Sequence, residues 1–298
     1  IRRKEIDLAI FVFPPSLLAI PVTWILPKQT LKVAIVHDLQ GIYAELKRGF
    51  LSKLLRTSIN SVERKAFKSC DKLVFLSETM RKICIKEYKL PSDSTSCFYP
   101  FFNLPEEQGT ATTLSSIFPA AGKSIVYSGA LGEKQSPDEL VRLMIAYIEL
   151  SEEHHALIFS QGPLYQNLKS KYSHPRLSFH SLVPSENLPE LLKRADIQII
   201  PQAPSTSGGS LPSKLPNLIY SGCRIFCVTD AGSELGEIVS EYSLGFASSS
   251  WDTNENLKSI QALLEISGQP TPTDLSILQR FSLQSLVSYI DDYGASKS

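Results

Sequence analysis

Between residues 124 and 242 short apolar runs alternate with helical patterns five times over. Strands are expected at 124–128, 156–160, 176–180, 196–201 and 224–228. Helices are expected at 137–150, 164–172, 187–194 and 234–242, with a short one between Ser213 and Gly222. Repeated strand–helix units of this length make a parallel, doubly wound sheet, an α/β architecture. In such sheets ligands collect at the carboxyl ends of the strands. The loops that follow the strands are therefore where a site is expected.

Glycines sit in three of those loops: Gly129 with Gly132, Gly162, and Gly208 with Gly209. Because they share one sheet edge, a phosphate-bearing ligand is better supported by the set than by any single loop. None forms a GxGxxG fingerprint, and no acidic residue follows at the spacing a nicotinamide cofactor requires. GxxxxGK[ST] is absent too, which argues against a Walker-type ATPase.

The loop after the fourth of these strands opens the stretch Pro201–Leu235. Ser207-Gly208-Gly209-Ser210 is flexible enough to aim backbone N–H groups at an anion. Leu215, Leu218 and Ile219 share one helical face, and Lys214, Asn217 and Ser221 another. Pro216 restricts where this helix begins, so Ser213 is the expected N-cap, and Gly222 is the expected C-terminal stop. Lys214 then stands at the positive end of a helix dipole, which suits a bound anion. A flexible loop before an ordinary amphipathic helix is the competing reading.

In the first half, residues 7–13 and 31–36 are strands apolar enough to be buried on both faces. His37 and Asp38 follow at the carboxyl end of the second and are candidate active-site residues; otherwise Asp38 caps a helix and His37 is a loop residue. A third strand spans 72–76, and a helix follows to about Tyr88. Helical patterns fill 43–69, where residues 45–68 carry seven Lys and Arg against two acidic residues. That basic amphipathic segment suits either an anionic membrane surface or a solvated face packed on a core. Arg2, Arg3 and Lys4 before an apolar run mimic a signal peptide, but Pro14, Pro15 and Pro21 break the run; a strand and a Pro-started helix are expected instead. Residues 105–122 are polar and read as a linker.

The net charge of zero gives no sign of a nucleic-acid partner. It conceals an asymmetry: residues 1–110 hold 17 Lys and Arg against 11 Asp and Glu, and residues 111–298 hold 13 against 19. The first half therefore favours an anionic surface. Five cysteines in no CxxC or zinc spacing fit a reducing cytoplasm and no metal centre.

YSGALGEKQ (127–135), ADIQIIP (195–201), LPSKLPNLIYSG (211–222) and AGSELGEIV (231–239) together resemble retaining, family 4-like GT-B glycosyltransferases of the bacterial colanic-acid and capsular-polysaccharide type. The resemblance implies two Rossmann-like domains facing a cleft. These would be a partial acceptor domain at 1–104 and, after the linker, a sugar-nucleotide domain at 123–272, with a final helix at 273–298 crossing back. It implies that Lys134 and Lys214 face the donor diphosphate, with Gln135 in the same loop as Lys134. Gly208, Gly209, Ser210 and Leu211 would approach phosphate or sugar, and Leu182 and Val183 would line the base pocket. His37 and Asp38 match a segment that faces the reacting sugar, so His37, Asp38, Lys134 and Lys214 form the implied catalytic set. Asn217 stands where many relatives have a ribose-binding Glu, and Gly209 replaces another Glu.

By the same resemblance the reaction needs neither metal nor cofactor beyond the nucleotide-diphosphate sugar. The acceptor is a glycan or lipid-linked, and the protein works in the cytoplasm or at the inner face of the membrane. Such a domain opens with a strand and a Gly-rich loop ahead of residue 1, so the chain reads as N-terminally truncated, with an exposed strand edge expected. A non-catalytic sugar-nucleotide-binding relative and a nucleotide-sugar epimerase are the alternatives.

Overall fold

The structure, a computed structural model, describes residues 6–39, 50–105, 114–266 and 276–295. Outside them lie the start of the expected 43–69 helix, with Lys47 and Arg48, and part of the expected linker, residues 106–113. The chain divides into two compact units. The first runs to Pro100 and includes Gly208–Leu211 and the chain from Arg280 onward; the second comprises Phe101–Ser207 and Pro212–Gln279.

In the first unit β1 (Leu8–Phe13), β2 (Leu31–Val36), β3 (Lys72–Phe75) and β4 (Thr95–Cys97) form one parallel sheet in the order β1-β2-β3-β4. Sequence reading finds only three of these strands. The fourth is three residues long and begins Thr-Ser, too short and polar for an apolar run to reveal it. Phe13, Val36, Phe75 and Cys97 stand in register, so the carboxyl ends of the strands are level.

With this sheet go α1 (Ala19–Ile25), α2 (Phe50–Lys68) and α3 (Glu78–Tyr88). Ser77 caps α3, its side chain accepting from the Met80 N–H at 3.1 Å. Phe67 of α2 packs on Phe13, Phe75 and Tyr88, with ring centroids 5.2–6.2 Å apart. On the same helix Glu63 is buried and accepts a hydrogen bond from the Tyr88 hydroxyl at 2.5 Å. Over 57–68 the segment is thus a packed helix whose Arg64, Lys65 and Lys68 are exposed. Among the described residues no helix is long and apolar enough to cross a membrane.

Strand β1 corrects the expectation of burial on both faces. It is the outermost strand, and Leu8, Ile10 and Val12 on its outer face are 39%, 51% and 53% exposed. Among the described residues it pairs only with β2, which leaves the expected open edge.

The second unit carries a six-stranded sheet: β5 (Lys123–Ser128), β6 (His154–Phe159), β7 (Leu177–His180), β8 (Ile197–Pro201), β9 (Ile225–Val228) and β10 (Gly245–Ser248). All its pairings are parallel, in the order β10-β9-β8-β5-β6-β7. The sixth strand corrects the reading of five. Gly245-Phe246-Ala247-Ser248 sits at the sheet edge with Phe246 and Ala247 exposed, so it lacks the apolar run of its neighbours. Between the strands lie α4 (Pro137–Ile148), α5 (Pro163–Lys171), α6 (Leu188–Arg194), α7 (Leu215–Tyr220) and α8 (Glu234–Glu241). Then follow α9 (Thr253–Glu265), α10 (Ser276–Arg280) and α11 (Leu283–Ala295).

The core of this unit joins Leu140, Leu143, Met144 and Tyr147 of α4 to Ile125, Ile158, Ile197 and Ile199 of the sheet. Helix α11 belongs to the first unit, where its Leu286 and Ile290 pack on Leu31, Val33 and Val74.

The strand order reverses between β5 and β8, and Asp196 clamps these two strands at their amino ends. Its carboxylate accepts from the Ser124 N–H at 2.8 Å, the Ser124 hydroxyl at 3.1 Å and the Lys123 ammonium at 2.9 Å. Asp196→Ala removes all three and leaves the amide without this partner; urea unfolding is expected to show a loss of about 2 kcal/mol.

Candidate functional site

A doubly wound sheet opens a crevice where its strand order reverses, because the loops leaving the two neighbouring strands diverge. In the second unit that point lies at the carboxyl ends of β5 and β8. A pocket of about 220 Å³ lies where these strands adjoin, beside the carboxyl end of β5 and the amino half of β8. Ser128 and Gly129, leaving β5, form one side, and Gln198 of β8 lies with them. Leu182 and Val183, after β7, and Leu188 and Leu192 of α6 supply an aliphatic wall. Lys214, Asn217 and Leu218, at and on α7, close it.

Lys214 gives the pocket its chemistry. Part of its stem is exposed, but its Nζ is sealed from solvent and has no hydrogen-bond partner among the described residues. The ammonium lies 3.9 Å from the centroid of the Tyr127 ring, a cation–π contact. That ring is held by its hydroxyl, which donates to the Ala130 carbonyl at 2.7 Å. Burial pulls the Lys214 pKa down to about 7. A buried amine with no counter-charge is costly unless something else supplies one.

The local chain explains how Lys214 gets there. Ser213, the expected N-cap, is not one: Lys214 occupies the cap position of α7, and no side chain caps the helix. Pro216 lies in the first turn as the sequence predicts. With only six residues α7 offers little dipole, so the pull on an anion comes from the ammonium itself. The far end is as expected. Gly222 has φ +66°, its N–H donates to the Ile219 carbonyl, and the Cys223 N–H donates to the Leu218 carbonyl, a Schellman turn. Cys223 and Cys227 are buried, and burial pushes both thiols up to about 12.

The other residues singled out from the sequence fall in several places. Gln135 is engaged locally: its side-chain oxygen accepts from the Gly132 N–H at 2.8 Å. The Lys134 carbonyl accepts from the Ala203 N–H at 2.7 Å, tying the loop after β5 to the loop after β8. Gly162 caps the start of α5 and does not line the pocket. Gly208, Gly209, Ser210 and Leu211 group with the first unit, where a Cβ on Gly208 would lie 3.1 Å from Ile83. His37 and Asp38 also belong to that unit. The His37 N–H donates to the Phe13 carbonyl, and burial lowers the His37 pKa against the pull of Asp38.

Asn217 does line the pocket, but its Oδ1 is already taken, accepting from the Asn103 N–H at 2.9 Å. Beside it Phe102 stacks on Tyr220 with centroids 4.6 Å apart. Among the described residues no three His, Cys, Asp or Glu converge as a metal site needs.

Sequence reasoning missed Tyr127, Gln198 and Asp230. Asp230 ties down the loop after β8. Its carboxylate accepts from the Ser205 N–H, the Ser207 N–H and the Ser207 hydroxyl. Burial opposes its charge, yet these bonds outweigh burial and lower its pKa. Gln198 carried a readable signal, an amide in the middle of an otherwise apolar central strand.

No family model matches the chain. The putative colanic acid biosynthesis glycosyl transferase WcaI of Escherichia coli (strain K12) is 30% identical over 126 residues, covering 40% of this chain and 30% of that protein. HepE of Anabaena, solved with UDP and glucose, superposes with a TM-score of 0.72 at 13% identity over 97% of this chain and 78% of its own. Sucrose-phosphate synthase of Thermosynechococcus elongatus gives 0.72 at 15% identity, over 97% of this chain and 74% of its own. The fold is GT-B. At these identities the likeness carries the fold and nothing further, and the curated relative is matched over less than a third of its length.

Proposed function

We propose that this chain is a glycosyltransferase that moves a sugar from a nucleoside-diphosphate donor to a glycan or lipid-linked acceptor. One observation carries the reading: a sealed ammonium with no partner, Lys214, lines a pocket at the reversal point of a doubly wound sheet. A diphosphate supplies the missing counter-charge. In the reaction Lys214 offsets negative charge growing on the leaving diphosphate, a role that commonly contributes several kcal/mol to a barrier. Lys134 assists it from the loop after β5. His37 and Asp38 serve the reacting sugar, and anomeric retention follows the family resemblance. The likeness to WcaI supports a place in surface-polysaccharide synthesis. The exposed Arg64, Lys65 and Lys68 suit work beside an anionic membrane.

The test is transfer from UDP- and GDP-hexoses to lipid-linked and glycan acceptors. Acceptor-dependent release of the nucleoside diphosphate is expected, with the rate unchanged by EDTA. A rate abolished by EDTA contradicts the metal-free scheme. A second reading, a protein that binds sugar nucleotides without turnover, draws on Asn217, whose side-chain oxygen already accepts from the Asn103 N–H. Tight binding with neither transfer nor hydrolysis favours it, and interconversion of the free donor would mark an epimerase.

A further inference from the structure

Gln198 is out of character with its strand. In the sequence Ile-Gln-Ile-Ile-Pro every residue of β8 is buried. Successive side chains alternate between the faces of a sheet. Ile197 and Ile199 enter the core with α4, and Gln198 points the other way, into the pocket. It is 2% exposed, and its Nε2 has no hydrogen-bond partner among the described residues. An aliphatic residue would fill this place at lower free energy, since an unpaired buried amide keeps the cost of desolvation with no bond in return. Among the described residues the amide is left open to a partner that enters the pocket.

The rest of the pocket says what that partner is. Lys214 presents a buried amine without a hydrogen-bond partner, which pairing with an anion would charge. Leu182, Val183, Leu188 and Leu192 offer aliphatic surface to an apolar body. A ligand that satisfies all three has an anionic group, an apolar body and a hydrogen-bond acceptor, which a nucleoside diphosphate supplies with its diphosphate and its base. We propose that Gln198 reads the base of the donor nucleotide by donating from Nε2 to a ring carbonyl of a uracil- or guanine-type base. This rests on the nucleotide-sugar reading above and assigns a specificity-determining residue within it.

The test is calorimetric titration of the full chain with UDP, GDP and inorganic pyrophosphate, beside thermal melts without ligand, for the wild type, Gln198→Met and Gln198→Leu. In Gln198→Met the preferred nucleotide is expected to bind at least about 10-fold more weakly. Pyrophosphate, which reaches Lys214 but not the base, keeps its affinity, and the unliganded melting temperature rises because the unpaired amide is gone. Rising stability with falling nucleotide affinity is a pair of changes that a purely structural glutamine does not give. The proposal is overturned if nucleotide affinity is unchanged, if pyrophosphate weakens as much as the nucleotide, or if both variants melt lower than the wild type. A folded wild type that binds neither UDP nor GDP overturns the nucleotide-sugar reading itself. Wild-type binding that Gln198→Met leaves intact overturns the role of Gln198 alone.

Discussion

Lys214→Met is expected to lower sugar transfer by at least about 100-fold while making the unliganded chain more stable. The loss follows from removing the one ammonium that the pocket presents without a partner. The gain follows from its pKa. Burial brings it from the ordinary 10.5 down to about 7 in the folded chain. Between these values the unfolded chain holds a proton that the folded chain has released. The lysine therefore costs stability at and below pH 7, and the cost is relieved as pH rises toward 10.5. Across that window the change amounts to as much as about 5 kcal/mol. Urea unfolding at several pH values measures it: the wild type gains stability with rising pH, and Lys214→Met lacks that component. A variant that loses both turnover and stability would mean that Lys214 serves the fold.

The second large effect is expected at Gly129. Its φ of +142° disfavours any side chain, and a Cβ there would lie 3.1 Å from the Lys214 Nζ and 3.3 Å from its Cε. Gly129→Ala therefore adds backbone strain and displaces the ammonium from the Tyr127 ring. Gly162 provides the control, with φ +97° and no atom within 4 Å of where a methyl group would stand. Each alanine is expected to cost about 1–3 kcal/mol of stability through strain. Only Gly129→Ala is expected to weaken UDP or GDP binding as well, by about 10-fold or more. Equal loss of affinity in both variants would show that the effect comes from general strain.

Much of the second unit is legible in the sequence because its strands are apolar and its helices periodic, so alternation alone predicts the parallel sheet. What escapes is what lacks that signal. β4 is three residues beginning Thr-Ser, and β10 is an edge strand with exposed Phe246. The expected double burial of β1 fails for a reason outside its own residues: Leu8, Ile10 and Val12 are as apolar as a central strand, and only its position in the sheet leaves them exposed. At the site, Lys214, Asn217, Leu182, Val183 and Gly129 are all candidates on sequence grounds, and they line one pocket. Their state is not legible. Neither the sealing of Lys214 over Tyr127 nor the bond between Asn217 and Asn103 has a local sequence pattern, since each joins segments far apart in the chain.

The Lys214 pocket is expected to bind the diphosphate of a nucleotide donor. Calorimetry with UDP and GDP near pH 8, in two buffers of different ionisation enthalpy, tests it most directly. At that pH the unliganded Lys214 is largely neutral, and pairing with a diphosphate recharges it. Binding coupled to uptake of about one proton is expected in the wild type, and no such uptake in Lys214→Met. Binding without proton uptake, or with the same affinity and uptake in Lys214→Met, would contradict it.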